Sequence, residues 1–424
     1  MRILYTLLFY AALPGVLLRL LWKGRRLPGY RKRIGERLGL YGTQSAVTDL
    51  WFHAVSVGET EAAIPVVQTL QRNNPNLRIL ITCTTPTGSN RIQSVFGKTV
   101  SHVYLPYDIP GPVQRFLKHF APKVAIIMET EIWPNLFRLT SKRGIPILII
   151  NGRLSSRSVK GYRKLGRFVS DTLDAVTLIA AQTPDDAERY QEVGVSSNRV
   201  CVPGNIKFDI QLDSATRALA TEIKQKVLNQ RPAWIAGSIH PGEDDLLIDA
   251  WISAKQTNPD LVLILAPRHP ERADDIARNC ERRKLFAVRR SRGEVCSTLT
   301  DVFILDTIGE LKTFYSASAV AFVGGSLIPH GGQNVLEPAA AGIPVFFGPH
   351  TANFKDITKG LINRGGAVQI THADEIAPLV IKLLQDSDYR GRLTQSATEF
   401  LAENRGAVTR VVALISDQLD RIKV

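Results

Sequence analysis

LWFHAVSVGETEAAIPVVQTLQRNNPNLRILITC, residues 50–83, begins and ends on short continuous apolar runs, LWFHAV (50–55) and RILITC (78–83). Between them Ala62, Ala63, Val66, Val67 and Leu70 recur at the spacing of an amphipathic helix. Run, helix, run is the pattern of parallel strands buried on both faces and joined by a right-handed crossover. VAIIM (124–128), IPILIIN (145–151) and AVTLIAAQ (175–182) continue it. A polar helical stretch over 210–231 interrupts it, and it restarts with AWIAGS (233–238), LVLILAPR (261–268), VFILD (302–306), AVAFVGG (319–325), IPVFFGP (343–349) and AVQI (367–370). The spacing predicts an α/β chain of two Rossmann-like, doubly wound domains facing a cleft. They cover 41–209 and 232–388, with 210–231 as a linker and C-terminal helices over 389–424. No short-period repeat suggests a solenoid. Open α/β sheets bind ligands beyond the carboxyl ends of their strands, and the unusual residues of this chain cluster there.

Composition agrees. The 424 residues suit two or three domains, and 44% hydrophobic with 22% charged residues excludes a mainly disordered chain. The four cysteines (Cys83, Cys201, Cys280, Cys296) form no C-x-x-C pair, which excludes a disulfide scaffold and a cysteine zinc knuckle. They read as reduced thiols of a cytosolic body.

The net charge of +14 is concentrated at one end. Residues 1–40 carry nine basic side chains (Arg2, Arg19, Lys23, Arg25, Arg26, Arg31, Lys32, Arg33, Arg37) against the single acid Glu36. Just ahead of most of them, residues 3–18 (ILYTLLFYAALPGVLL) are uncharged and mostly apolar. A spanning helix needs about 20 residues, so this run is marginal in length. KGRRLPGYRKR after it offers no small-residue cleavage site, which argues against a signal peptide. A spanning anchor and a monotopic helix on an anionic leaflet both remain. Both place the globular body on the cytoplasmic side, with 1–40 as anchor helix and basic membrane-proximal segment. A buried core helix is the bland alternative. Nucleic acid is a poor partner, because the basic run adjoins apolar rather than stacking residues.

Four clusters in the first half can carry chemistry. In His53-Ala-Val-Ser-Val-Gly-Glu59, a carboxylate at a strand end suits a general base, yet Ser56-x-x-Glu59 is equally a capping box. Met128-Glu-Thr-Glu-Ile-Trp-Pro-Asn135 holds Glu129 and Glu131, which on an extended chain point to opposite sides. From Arg153 to Arg167 lie six cations and no acid, which suits a polyanion, an anionic membrane or a phosphate-bearing acceptor in one, with Arg153 and Arg157 as the candidate acceptor-binding residues. Pro203-Gly-Asn-Ile-Lys207-Phe-Asp209 offers Lys207 to a phosphate.

The second half supplies an anion site. Pro267-Arg268 ends one strand, Asp306-Thr-Ile-Gly-Glu310 follows another, and Gly324-Gly325-Ser326 leads through Gly331-Gly332 to Asn334-Val335-Leu336-Glu337. Glycines before a helix start let backbone N–H groups hold a phosphate, and Glu337 is placed to meet ribose hydroxyls. There is no Walker A motif, no G-x-G-x-x-G and no H-E-x-x-H, which leaves P-loop NTPase, dinucleotide dehydrogenase and zinc-hydrolase readings unsupported.

Taken together, the apolar anchor, HAVSVGE, TPTGS (85–89), YLPYD (104–108), METEIWPN, NGRLS (151–155), LAPRHPER, FVGGSL and GGQNVLEPAAAGIPVFFGPH resemble the 3-deoxy-D-manno-octulosonic acid (Kdo) transferases, a family of GT-B glycosyltransferases. The resemblance runs from residue 1 to about residue 420. It implies transfer of Kdo from CMP-Kdo to the tetraacyl lipid A precursor, lipid IVA, on the cytoplasmic face of the bacterial inner membrane. It also implies inversion at the anomeric carbon and no metal or other cofactor, while contact with anionic lipids of the inner membrane is the expectation from the basic segment itself. Glu59 would be the proton acceptor, with Glu129 and Lys207 as transition-state stabilisers; Glu131 competes with Glu129 for that part. Pro267, Arg268, Ile308, Gly309, Glu310, Asn334, Val335, Leu336 and Glu337 would hold CMP. The alternatives are a GT-B transferase of another nucleotide-activated sugar to a membrane lipid, a non-catalytic binder of acidic lipids, and a metal-dependent hydrolase.

Overall fold

The computed structural model describes residues 1–25, 27–42, 46–210 and 212–423. Arg26 of the basic block, Gln211 of the 210–231 stretch and Val424 of the tail lie outside the described residues. The chain divides into two units: Met1–Asp209 with Arg405–Val424, and Ile210–Asn404.

The first unit is built on β1 (Leu50–His53), β2 (Ile79–Cys83), β3 (Ser101–Tyr104), β4 (Val124–Met128), β5 (Ile147–Gly152), β6 (Leu178–Ala181) and β7 (Val200–Cys201). All pair in parallel, in the order β3-β2-β1-β4-β5-β6-β7. Alternate residues feed opposite cores. Leu50, Phe52, Ile126 and Met128 enter one cluster, and Trp51, Ala125 and Ile127 the other. A sheet buried on both faces has no polar side, which is why its central strands read as unbroken apolar runs.

The second unit repeats the design with β8 (Ala233–Ile239), β9 (Val262–Pro267), β10 (Ala287–Arg289), β11 (Val302–Ile304), β12 (Val320–Val323), β13 (Val345–Phe347) and β14 (Val368–Gln369). The order is β10-β11-β9-β8-β12-β13-β14, again parallel. Two parallel, doubly wound seven-stranded sheets, with an apolar N-terminal helix at Arg2–Lys23, give the α/β architecture of the GT-B class.

Strand order reverses direction between β1 and β4 in the first sheet and between β8 and β12 in the second. At such a switch point the following helices leave on opposite faces and open a crevice at the carboxyl ends. Glu59 follows β1 and Glu129 follows β4; His240 follows β8 and Gly324 follows β12.

Two segments behave differently from the sequence expectation. Residues 210–231 form the helix Ser214–Glu222 with a π-turn continuation to Val227, and Ala220, Ile223 and Val227 enter a core of the second unit rather than a free linker. The tail is shared. Helix Ser387–Asn404 stays with the second unit, while Ala407–Lys423 places Val411, Val412 and Ile415 in a core of the first. Asp209 joins the two pieces of the first unit by accepting from the backbone N–H groups of Gly406 and Val408.

Candidate active site

Glu59 lies in the first turn of helix Val57–Asn73, half-buried beyond the end of β1. Capping geometry is present: Ser56 Oγ accepts from Glu59 N at 3.4 Å, and Glu59 Oε2 accepts from Val55 N at 2.6 Å. Oε1 has one long contact, with Ser56 Oγ at 3.4 Å. One oxygen is therefore committed to the backbone, while the other keeps acceptor capacity. Burial, opposed by the Val55 hydrogen bond and reinforced by the nearby Glu131 and Glu129 carboxylates, pushes the Glu59 pKa up from 4.5 to about 8. A carboxyl group tuned this way is a usable base near neutrality.

The backbone at Glu129 is not extended. It has φ +55, in the left-handed region that non-glycine residues rarely enter, so the expectation that Glu129 and Glu131 alternate along an extended chain does not hold. The turn is held on both sides: Glu129 N donates to Ile150 O at 3.0 Å, and Tyr190 Oη donates to Glu129 O at 3.2 Å. It brings Glu129 and Glu131 near enough to Glu59 for both to disfavour its ionisation. Glu131 accepts from Trp133 Nε1 at 3.0 Å, and burial raises its pKa.

Lys207 Nζ stands 3.0 Å from Glu129 Oε1. Its placement depends on amide side chains that sequence reasoning did not single out. Asn205 Oδ1 accepts from Lys207 N at 2.9 Å, and Asn205 Nδ2 donates to Gln182 Oε1 at 3.0 Å. Gln182 Nε2 donates to Asn151 O at 3.0 Å, and Asn151 Oδ1 accepts from Ile206 N at 3.1 Å. Asn151 is fully buried with φ +53. This relay ties the Lys207 turn to the ends of β5 and β6. Polar residues at three successive strand ends were its only sequence signal. His53, by contrast, is a core residue: it is fully buried, contacts Thr82 Oγ1 at 3.0 Å, and burial lowers its pKa to about 4. Arg153 adjoins the Glu129 loop through its carbonyl, which accepts from Thr130 Oγ1 at 2.5 Å; Arg157 is exposed on helix Ser156–Leu165.

In the second unit the Gly324–Ser326 loop is not an open phosphate cradle. The fully buried carboxylate of Glu243 already fills it, accepting from the N–H groups of Gly325 (2.7 Å), Ser326 (3.1 Å) and Leu327 (3.0 Å), and from His240 N (2.9 Å). Gly324 is required for close approach, since a Cβ there would lie 2.5–2.7 Å from backbone atoms of Ser238 and Ile239. Glu243 was missed because an acid in the first turn of a helix reads as an ordinary capping residue.

Around this fixed loop the remaining predicted residues gather in two groups. Pro267 ends β9 and Arg268 is exposed, with Arg268 N bonded to Ile239 O at 2.9 Å. His240 receives Gln333 Nε2 at 3.0 Å and stacks on His330 at 4.3 Å. Burial, then His330, His269 and Arg268, push its pKa down to about 4, so it is neutral at physiological pH. In the other group Ile308 is 87% exposed, Gly309 has φ +95, and Glu310 is clamped by Arg290 at 2.6 Å. Val335 and Leu336 have buried side chains and can offer a ligand only their backbone, whereas Asn334 Nδ2 orients Glu337 at 3.2 Å. Among the described residues no group of three or more His, Cys, Asp or Glu side chains is placed to hold a metal ion.

The family model described as 3-Deoxy-D-manno-octulosonic-acid transferase (kdotransferase) matches residues 32–210. The chain is 38% identical over 423 residues to the 3-deoxy-D-manno-octulosonic acid transferase of Haemophilus influenzae, covering 99% of each chain. It belongs to the Kdo transferase family. A second Kdo transferase, from Bordetella pertussis, is 34% identical over 99% of both chains. In fold alone the chain resembles the UDP-GlcNAc 2-epimerase of Neisseria meningitidis, with a TM-score of 0.55 at 13% identity, over 84% of this chain and 99% of that one. The match of Kdo transferases along the whole length covers both the Glu59 group and the Arg268–Glu337 group.

Proposed function

We propose that the chain transfers Kdo from CMP-Kdo to lipid IVA, with inversion and without a metal, at the cytoplasmic face of the bacterial inner membrane. The observation that carries this reading is Glu59, half-buried with one carboxylate oxygen still available, at the switch point beside the Glu129–Lys207 pair. Glu59 takes the proton of the acceptor hydroxyl as its oxygen bonds to the anomeric carbon of Kdo. The bond from that carbon to the CMP phosphate breaks on the opposite face, and CMP leaves with the electron pair. Glu129 faces the positive charge that grows on the sugar ring, and Lys207 offsets negative charge on the donor's carboxylate. The second unit takes the nucleotide through Pro267–Arg268, Ile308–Glu310 and Asn334–Glu337. Support for membrane attachment is the 22-residue apolar helix Arg2–Lys23 and the basic residues after it.

The test is one assay. Detergent-solubilised protein receives CMP-Kdo, lipid IVA and EDTA, in wild type and in Glu59→Gln, and products are read by mass. Product from wild type and none from a folded variant that still binds CMP is the expected result. Product only when EDTA is omitted overturns the metal-free step. Product only from a UDP-sugar, offered in parallel, overturns the donor.

A further inference from the structure

The helix Arg2–Lys23 does not stand apart from the body of the first unit. Tyr5, Thr6, Phe9, Leu13, Val16 and Leu20 recur at three- and four-residue spacing, and each is partly or fully buried, so one stripe is covered along the helix's length. The opposite stripe, with Ile3, Leu4, Leu7, Leu8, Leu18 and Trp22, is exposed and equally apolar.

Polar contacts fix the covered stripe. Tyr5 Oη donates to Asp108 Oδ2 at 2.9 Å, and the side chains of Thr6 and Asn135 are bonded at 3.1 Å. Asp108 is itself 2% exposed and accepts from the Asn135 and Leu136 N–H groups at the start of helix Pro134–Ser141. Beyond the helix the chain stays attached. Arg33 donates to Ser89 Oγ and His102 O, Glu36 accepts from Tyr104 N, and Arg37 donates to Thr84 O. Thr84, Tyr104 and Asp108 lie at or just after the carboxyl ends of β2 and β3, and Asn135 opens the helix that follows β4. The segment therefore lies along the same edge of the first sheet as Glu59 and Glu129.

Crossing a bilayer is incompatible with these contacts. Residues 3–18 in hydrocarbon would either break Tyr5 and Thr6 away from Asp108 and Asn135, or carry a buried carboxylate and a helix start into lipid. The start of the helix also borders a hollow of about 600 Å³, where Arg2, Arg138, Lys142 and Arg167 outnumber Asp171 and Asp174. Apolar residues flanked by cations match the hydrocarbon boundary and the head groups of an anionic leaflet.

We propose that this helix lies in the plane of an anionic phospholipid leaflet, sandwiched between the first unit and the lipid, and does not span the bilayer. The carboxyl-end edge of the first sheet then abuts the lipid surface. An acceptor can present its head group to Glu59 while its acyl chains stay in the leaflet. This inference rests on the membrane-bound reading above.

Two measurements on the full chain test it. A polar epitope placed before Met1 is exposed to protease in intact spheroplasts and in inverted inner-membrane vesicles. The in-plane helix leaves the epitope intact in spheroplasts and digested in inverted vesicles; digestion in intact spheroplasts overturns the proposal and leaves membrane attachment standing. Flotation with vesicles of phosphatidylcholine, with and without phosphatidylglycerol, is the second. At least tenfold more protein should float with the anionic lipid, and no flotation with either vesicle overturns the proposal and the membrane-bound reading together.

Discussion

Lys207 Nζ and Glu129 Oε1 lie 3.0 Å apart, on the loops that follow β7 and β4. Each side chain is about a fifth to a quarter exposed, at 26% and 18%, so the pair is reachable by substrate yet poorly screened by water. Loss of one partner leaves the other charge in a half-buried site. Lys207→Met should lower kcat about 100-fold or more with little change in CMP affinity, read by steady-state kinetics and CMP titration.

Glu129→Gln makes a separate prediction. The Glu129 charge disfavours ionisation of Glu59, so its removal should move the Glu59 limb of the pH–rate profile to lower pH. An unmoved limb would mean that the two carboxylates are not coupled.

The raised pKa of Glu59 has consequences for both rate and stability. Only the ionised form can accept a proton, so kcat/KM should rise with pH to a plateau above about 8. Folding binds this proton more tightly than the unfolded chain does. The resulting stabilisation is complete below pH about 4.5, declines as pH rises from there, and is gone above about 8. Glu59→Gln should abolish transfer and flatten this part of the stability profile, measured by thermal melts between pH 5 and 9.

Asn205 acts through its neighbours. Asn205→Ala removes the acceptor for Lys207 N and the donor to Gln182. It should reduce kcat while leaving KM for the nucleotide donor near wild type, and Asn205→Asp, which keeps the acceptor, should recover part of the loss.

Two changes in the second unit should act on stability and donor binding. Glu243→Ala strands four backbone N–H groups that now share one buried carboxylate, and should cost about 3 kcal/mol or more, seen as a lower denaturation midpoint. Arg290→Ala frees Glu310 from its clamp and should raise KM for the donor with little change in melting temperature.

The central strands were legible because burial on both faces leaves no room for polar residues: VAIIM is β4 without adjustment. β3, β7 and β10 were not, and each lies at a sheet edge, where one side needs no apolar neighbour. SHVY, for example, is mostly exposed or half-exposed. Glu59, Glu129 and Lys207 were nameable from strand-end position and family resemblance, and the structure gathers them at one switch point. Their supports were hidden because the contacts are distant in sequence. Tyr190 and Glu129 are separated by 61 residues, and Gly325 and Glu243 by 82. The glycine loop misled for a related reason, since nothing local announces that an acid from another element already occupies it.

The return of helix Ala407–Lys423 to the first unit sets an order for biosynthesis. A chain emerging from the ribosome has all of Ile210–Asn404 available before the residues that complete the earlier sheet's core exist. The second unit can therefore close first. The first unit waits for Val411, Val412 and Ile415. A translation product that stops short of them carries a first sheet with an unfinished core, so premature termination should yield a species open to proteolysis rather than a shortened but folded chain.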